Sequence, residues 1–535
     1  MIPLSQPRMK RMTAVHGWSA VLLGLLLYAV VFTGAVAVFA PEIGRWSAGT
    51  VRHGEPLAGP IDATVRRLAQ EVDPAYLDDI AIWAGVGGDA YVFFHTHAMN
   101  PEEGELDDLG TIFRVDTGSG AVLERHDGFV WQEPPAWETS ALRRFLIDLH
   151  VQLYLPNPWG LILTGVLGLM MMAAVITGFL MHRHLVRDLF VAERPGGRLV
   201  SARDRHVLAA SWGLPFAFLL AFTGSFFSFA STIGFPLVAT VAFGGDEEAL
   251  TETLYEPPVP ENAAAAPLAS LDHLLADSVD RAGGAAATYV DITRFGRADA
   301  RVAVWHEAPE GGLIEPQMVF DGPSRTFLGQ KVIVGNGPSV GGALYGLMYP
   351  LHFGDFAGVL SQAVWGALGV AMCFVILSGL RLWIRRRIDQ PLWRGFWRAS
   401  LVTAYGLPLG VVAAAYGFFL SHPAGDPFFW TPWSFVLGAA VAILLGIRMA
   451  DAAALGRRFQ RMLAVACLLL PVLRLGTGGM TWSDALISRQ VDVLSVDLLL
   501  LIAGGVLWLV SRREMPSDRT DAGTDTRITR LEPAE

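Results

Sequence analysis

The chain has 535 residues, of which 52% are hydrophobic and 17% charged, with a formal net charge of −10. Soluble globular proteins carry about a quarter charged residues, so an ordinary soluble domain is excluded. The absence of a basic patch excludes a nucleic-acid binder. The two cysteines, Cys373 and Cys467, both lie in apolar runs, which leaves no disulfide for the polar segments and no thiolate set for a c-type haem or an iron–sulfur cluster.

Crossing the hydrocarbon core takes about 20 apolar residues. Eight runs qualify, near 18–40, 159–181, 207–231, 357–384, 399–420, 431–449, 460–476 and 493–511. The seventh is the weakest, being short and interrupted by Pro471 and Arg474. The first follows Lys10 and Arg11 as a signal peptide would, but its length and its place in a repeat make it a helix that stays. In chain order the expected parts are an N-terminus with the first span (1–40), a polar module (41–156), and the second span, a basic loop and the third span (157–231). A second polar module (232–356), the fourth span (357–390), four further helices (391–511) and a disordered tail (512–535) follow.

Arginine placement orients the spans. Lys10 and Arg11 precede the first; Arg183, Arg187, Arg194, Arg198, Arg203 and Arg205 fill the loop between the second and third. Arg381, Arg385, Arg386 and Arg387 follow the fourth, Arg457, Arg458 and Arg461 separate the sixth and seventh, and Arg512 and Arg513 follow the eighth. Every second connection is basic, which places both termini in the cytoplasm and both polar modules on the other side, the periplasm of a Gram-negative host.

The chain contains a repeat. His16 lies 17 residues before the threonine of Phe32-Thr33-Gly34, as His206 lies before that of Phe222-Thr223-Gly224. Gly165, Gly168 and Thr177-Gly178 align with Gly366, Gly369 and Ser378-Gly379 at a constant offset of 201, and in that register His150 falls one residue from His352. Each polar module carries a helix-like stretch (61–71, 268–281), a strand-like run (90–95, 301–305) and a closing turn at Asp116–Gly120 or Asp321–Gly322. The expected fold is therefore a mainly α, polytopic membrane protein. Two parallel repeats of helix, small α+β module and helix are followed by four more helices.

Four histidines stand at the ends of the first four spans. At a rise of about 1.5 Å per residue, His16 and His206 share one level and His150 and His352 the other. Two imidazoles from different helices at each level are what a haem held between helices needs. Gly34 and Gly224 fall at the level of His150 and His352, and Gly178 and Gly379 at the level of His16 and His206. Each haem is thus expected between one histidine pair and the glycines of the opposite helices. The bland alternative is interfacial histidines and ordinary small-residue packing. His182 and His184 are rival ligands for the inner site. Arg11, Arg183, Arg205 and Arg381 are candidate propionate partners. His95 and His97 share a strand face, read as solvated rather than metal-binding.

These residues resemble the PepSY-associated transmembrane family, which includes ferric-siderophore reductases and other iron-regulated bacterial inner-membrane proteins. The resemblance covers roughly residues 9–390 and rests on His16-Gly17-Trp18 with Thr33-Gly34, Leu149-His150, His206 with Thr223-Gly224, and most specifically Tyr349-Pro350-Leu351-His352-Phe353-Gly354. Gly17 and Val207 stand where a basic residue is the family's pattern, and the last four helices lie outside it. The resemblance implies two b-type haems and transfer of electrons from quinol or a cytoplasmic reductase to a ferric chelate in the periplasm. No flavin or nicotinamide fingerprint occurs; the Gly-rich stretch 335–342 opens no βαβ unit. The rivals are a membrane-anchored binding or regulatory protein and a transporter.

Overall fold

The computed structural model describes residues 5–49, 56–57, 59–85, 88–101, 106–131, 139–181, 189, 198–255, 259–308, 312–331, 334 and 339–512. His182, Arg183, His184, residues 335–338 and the tail beyond 512 lie outside the described residues. The chain divides into two compact units, Met1–Leu382 and Trp383–Glu535.

Eight helices among the described residues are long and apolar enough to cross a membrane. In the first unit these are α1 (Gln6–Ala37), α5 (Trp159–Met181), α6 (Arg198–Phe229) and α11 (Gly358–Arg385). Short helices α2 (Ala40–Ala48) and α3 (Asp62–Leu68) follow α1, and α4 (Ala141–Gln152) precedes α5. Several helices begin earlier than their apolar runs. In α1 the turn carrying Arg8, Lys10 and Arg11 continues the helix and is opened by Pro7. Beyond α6 a π-helical turn, Ala230–Gly234, leads into α7 (Phe235–Phe243) and α8 (Glu247–Tyr255).

The polar segments form β1 (Asp79–Ala84), β2 (Asp89–Met99), β3 (Leu106–Asp116) and β4 (Val122–Phe129). After α9 (Leu271–Arg281) come β5 (Ala287–Thr293), β6 (Arg301–His306), β7 (Gln317–Asp321) and β8 (Phe327–Lys331). Two separate modules were the expectation; the structure joins them into one eight-stranded sheet, β4-β3-β2-β1-β5-β6-β7-β8. The seam is the antiparallel β1–β5 pair, with Ile80 opposite Ile292 and Ile82 opposite Val290. A shared core explains the fusion. Val65 and Leu68 of α3 and Leu271 and Leu274 of α9 are buried with those strand residues in a single cluster that runs across the seam. The helices also cap each other. Asp272 accepts from the backbone N–H of Ile61 (2.8 Å) and Asp62 from that of Leu271 (2.8 Å).

Within the first unit the spans pack through the glycines of the repeat. A methyl on Gly168 would lie 2.2 Å from Ser225 Oγ, and one on Gly369 would lie 2.8 Å from Ala35 Cβ. Gly165 meets Phe229 and Gly366 meets Phe39 in the same way. So α5 packs on α6 as α11 packs on α1, and a pseudo-two-fold relates the repeats. Missing side chains permit that approach.

The second unit holds α12 (Pro391–Ser421), α13 (Pro427–Arg448), α14 (Ala452–Gly476), α15 (Trp482–Ile487) and α16 (Val491–Ser511). The run that looked weakest, α14, passes unbroken through Pro471. Its Arg474 is wholly buried and pairs with Asp497 of α16 (2.6 Å) while donating to the Met480 carbonyl (2.7 Å). Trp482 donates to the same carboxylate (2.8 Å). Asp497 is the lone charge in an otherwise apolar run, and the pairing offsets the cost of both charges.

Removing one partner leaves the other charge buried. Arg474→Met is expected to cost about 3–5 kcal/mol, read as a lowered Tm in detergent, and Arg474→Met with Asp497→Leu to recover most of it. In the sheet, Asp299 accepts from Arg297 at 2.8 and 2.9 Å and from the Asn262 backbone at 2.8 Å. These bonds, Arg297 first, hold its carboxyl well below the usual range. Its folded pKa is depressed, so its stabilisation is complete above the unfolded value of about 3.9 and lost as pH falls further. Asp299→Asn should therefore lower Tm at neutral pH and flatten the acid limb of a Tm-against-pH curve.

Candidate haem-binding sites

The two outer histidines stand on short helices that precede spans. His150 is on α4, capped by Ser140, whose hydroxyl accepts from the Arg143 N–H; α4 ends at Leu153 in the left-handed region. His352 is on α10 (Val340–Phe353), capped in the same way by Ser339 through the Gly342 N–H, and ending at Gly354 with φ 71°. The elbow after each helix turns the chain into α5 or α11. His16 and His206 sit within α1 and α6.

All four imidazoles are anchored through Nδ1, and each anchor is a hydroxyl of the Thr-Gly or Ser-Gly pairs. His16 Nδ1 lies 3.1 Å from Thr177 Oγ1 and 3.1 Å from the Ala174 carbonyl. His206 Nδ1 lies 2.9 Å from Ser378 Oγ. His352 Nδ1 lies 2.8 Å from Thr223 Oγ1. His150 Nδ1 lies 3.1 Å from the Val30 carbonyl and 3.4 Å from Thr33 Oγ1. Each hydroxyl already donates its proton to a carbonyl of its own helix: Thr177 to Ala173 (2.7 Å), Ser378 to Val375 (3.0 Å), Thr223 to Leu219 (2.9 Å) and Thr33 to Ala29 (2.8 Å). The Ala174 and Val30 carbonyls can only accept, so Nδ1 of His16 and of His150 carries the hydrogen and Nε2 keeps its lone pair. His206 and His352 take the same tautomer when the facing hydroxyl keeps its proton on its own helix. Metal-ligating histidines are fixed by this kind of bond.

The glycines make room for the rings. A methyl on Gly34 would lie 2.7 Å from His150 Cε1; the matching distances are 3.2 Å from Gly224 to His352, 3.1 Å from Gly379 to His206 and 3.7 Å from Gly178 to His16. The expectation that these glycines face a macrocycle from the opposite pair is corrected here. Each receives the imidazole of its own repeat, because the hydroxyl beside it draws that ring in.

The repeats then bring the imidazoles together. The His150 and His352 ring centres are 6.3 Å apart with planes 25° from parallel. Two imidazoles on one metal, bonded at about 2 Å with about 1 Å more from nitrogen to ring centre, place their centres about 6 Å apart. Burial holds the His150 and His352 imidazoles below the ordinary histidine pKa, in the neutral form that ligates.

His150 and His352 stand in the wall of a cavity of about 1340 Å³ that extends to the sheet, where Tyr289 and Trp305 line it. Its charged wall residues are Arg143, Glu307, Glu315 and Asp355. Burial, then Asp355 and Glu307, push the Glu315 carboxyl up to about 7. Arg143, Glu315 and the sheet aromatics escaped the sequence reading because they lie far apart in the chain and outside any repeat.

His95 and His97 do share a strand face, but His95 is buried rather than solvated and stacks on Phe93 at 4.2 Å. His97 lies between Asp108 (3.3 Å) and Asp79 (3.8 Å). No group of three His, Cys, Asp or Glu ligands converges on one point among the described residues.

The chain is similar to an uncharacterized protein of Pseudomonas aeruginosa, 29% identical over 398 residues that cover 69% of this chain and 95% of that protein. Residues 13–386 match the PepSY-associated TM region, a stretch holding all four anchored histidines, their Thr-Gly and Ser-Gly partners and the whole sheet, and the chain belongs to that family.

Proposed function

We propose that the chain is a haem-containing reductase of a bacterial inner membrane that delivers electrons to a ferric chelate on the sheet side. His16 and His206 would hold one haem b, and His150 and His352 a second. The carrying observation is the set of four imidazoles each anchored through Nδ1, the outer two at the spacing one shared metal needs.

Bound haem supplies a one-electron redox centre near each face of the bilayer. The residues supply the rest. Thr33, Thr177, Thr223 and Ser378 fix the ring orientation and the tautomer, which raises ligand basicity. Gly34, Gly224 and Gly379 let the rings approach, while Gly178 meets His16 at an ordinary contact distance. The cavity beside the outer pair offers an acceptor both aromatic surface, from Tyr289, Trp305 and Tyr349, and charge, from Arg143, Glu307, Glu315 and Asp355. Reduction of a ferric chelate loosens it, since Fe(II) is softer than Fe(III) and hard oxygen ligands hold it less well. Quinol or a cytoplasmic reductase is the donor in this reading. The sheet then faces the periplasm and both termini the cytoplasm, as the arginine pattern requires.

A reduced-minus-oxidised visible spectrum of the purified chain tests this directly, and two low-spin b-type signals are expected. His150→Ala or His352→Ala should remove one signal, and His16→Ala or His206→Ala the other. A colourless wild-type protein, or four variants that all lose the same signal, would retire the reading. Thr223→Val strips the acceptor from a buried N–H, a loss of about 1–3 kcal/mol. It should speed loss of the outer signal on warming and leave the inner one in place.

A further inference from the structure

The geometry points to Trp365 as a positioning residue for the outer histidine pair, one that makes its two histidines unequal. This rests on the reading of that pair as the ligands of one iron.

Both short helices end next to their histidine, which orphans the last carbonyls. In the first repeat Thr164 of α5 reaches back and donates to the Val151 carbonyl at 2.8 Å. In the second, Trp365 of α11 donates through Nε1 to the Leu351 carbonyl at 3.0 Å. The two donors are related by the offset of 201 that aligns the helix glycines. Each ties the start of a span to the residue adjoining the outer ligand, so each sets where that imidazole stands.

The ties differ in kind. The Thr164 hydroxyl has one proton, and it also lies 3.0 Å from the Leu161 carbonyl of its own helix. The indole N–H has one acceptor. The indole is also wedged. A methyl on Gly354 would lie 2.4 Å from Trp365 Cγ, and Gly354 is left-handed besides. Phe216 and Phe356 meet the ring edge-on at 5.4 and 5.2 Å. The His352 helix is thus clamped by an undivided hydrogen bond and a flat packed ring. The His150 helix is held by a shared hydroxyl. Trp365 also stands in the cavity wall with His352, so its replacement acts at the outer site and not at the level of His16 and His206.

Trp365→Phe keeps a ring and removes the donor; Thr164→Val removes the hydroxyl at constant shape, and Thr164→Ser restores it. In the purified full chain, low-spin ferric EPR and a redox titration follow the two haems separately. Trp365→Phe should shift the signal and midpoint potential that His352→Ala abolishes, at unchanged haem content, and leave the other haem where it was. Thr164→Val should move the same signal by less, and Thr164→Ser should return it. An outer signal that Trp365→Phe leaves unmoved, or a shift shared equally by both haems, overturns the inference. If the wild-type chain binds no haem, the reductase reading fails by itself, and the clamp is then read by cross-linking. A His150→Cys, His352→Cys chain treated with a short bis-maleimide should lose about fivefold in cross-linking rate when Trp365→Phe is added, the factor that about 1 kcal/mol carries. An unchanged rate overturns the clamp.

Discussion

A membrane interior offers no water to a buried imidazole N–H, so every such group must find its acceptor on a neighbouring helix. This one requirement organises the first unit. A threonine or serine hydroxyl inside a helix can spend its proton on a carbonyl of its own turn, as Thr223 does on Leu219, and its oxygen then accepts from an incoming ring. A glycine in the next position removes the side chain that would keep an incoming ring away. The two-residue pair therefore both selects the tautomer and seats the ring. It occurs four times, once for each histidine, and joins α1 to α4 and α5 in one repeat and α6 to α10 and α11 in the other.

Much of this was legible in the sequence. The spans showed because long apolar runs have one explanation, and the histidine levels because helix rise converts spacing to depth. The repeat showed because His16 to Thr33-Gly34 and His206 to Thr223-Gly224 share a spacing. The partner of each glycine was not legible. Spacing gives depth along an axis and says nothing of rotation about it, so Gly34 could be matched to a level but not to the His150 ring. Asp497 was hidden for a related reason. One carboxylate in an apolar run looks incidental until Arg474 is seen against it. The single sheet was hidden because β1 and β5 belong to different segments, and strand pairing over such a separation leaves no local mark.

The repeats meet at two places with different physics. In the spans, Gly168 against Ser225 and Gly369 against Ala35 set a close approach that depends on absent side chains. In the polar layer, the β1–β5 seam depends on backbone hydrogen bonds and a shared apolar core. Both sit between His150 and His352 in the sense that each fixes one half of the molecule against the other. A spacing of 6.3 Å between rings on separate repeats needs such bracing, since neither histidine touches its counterpart's helix through its own hydrogen bonds.

The seam also governs how the protein can be made. When the first repeat leaves the ribosome, β1 has β2 on one side and an open edge on the other. Its partner β5 arrives only after two further spans and the second polar segment have been made. Until then a strand carrying Ile80 and Ile82 presents bare edge to its surroundings, the feature that invites pairing with foreign strands. Production of this chain is thus sensitive to the pace of synthesis between its halves, and truncation after the second span would leave an adhesive fragment rather than half a working protein.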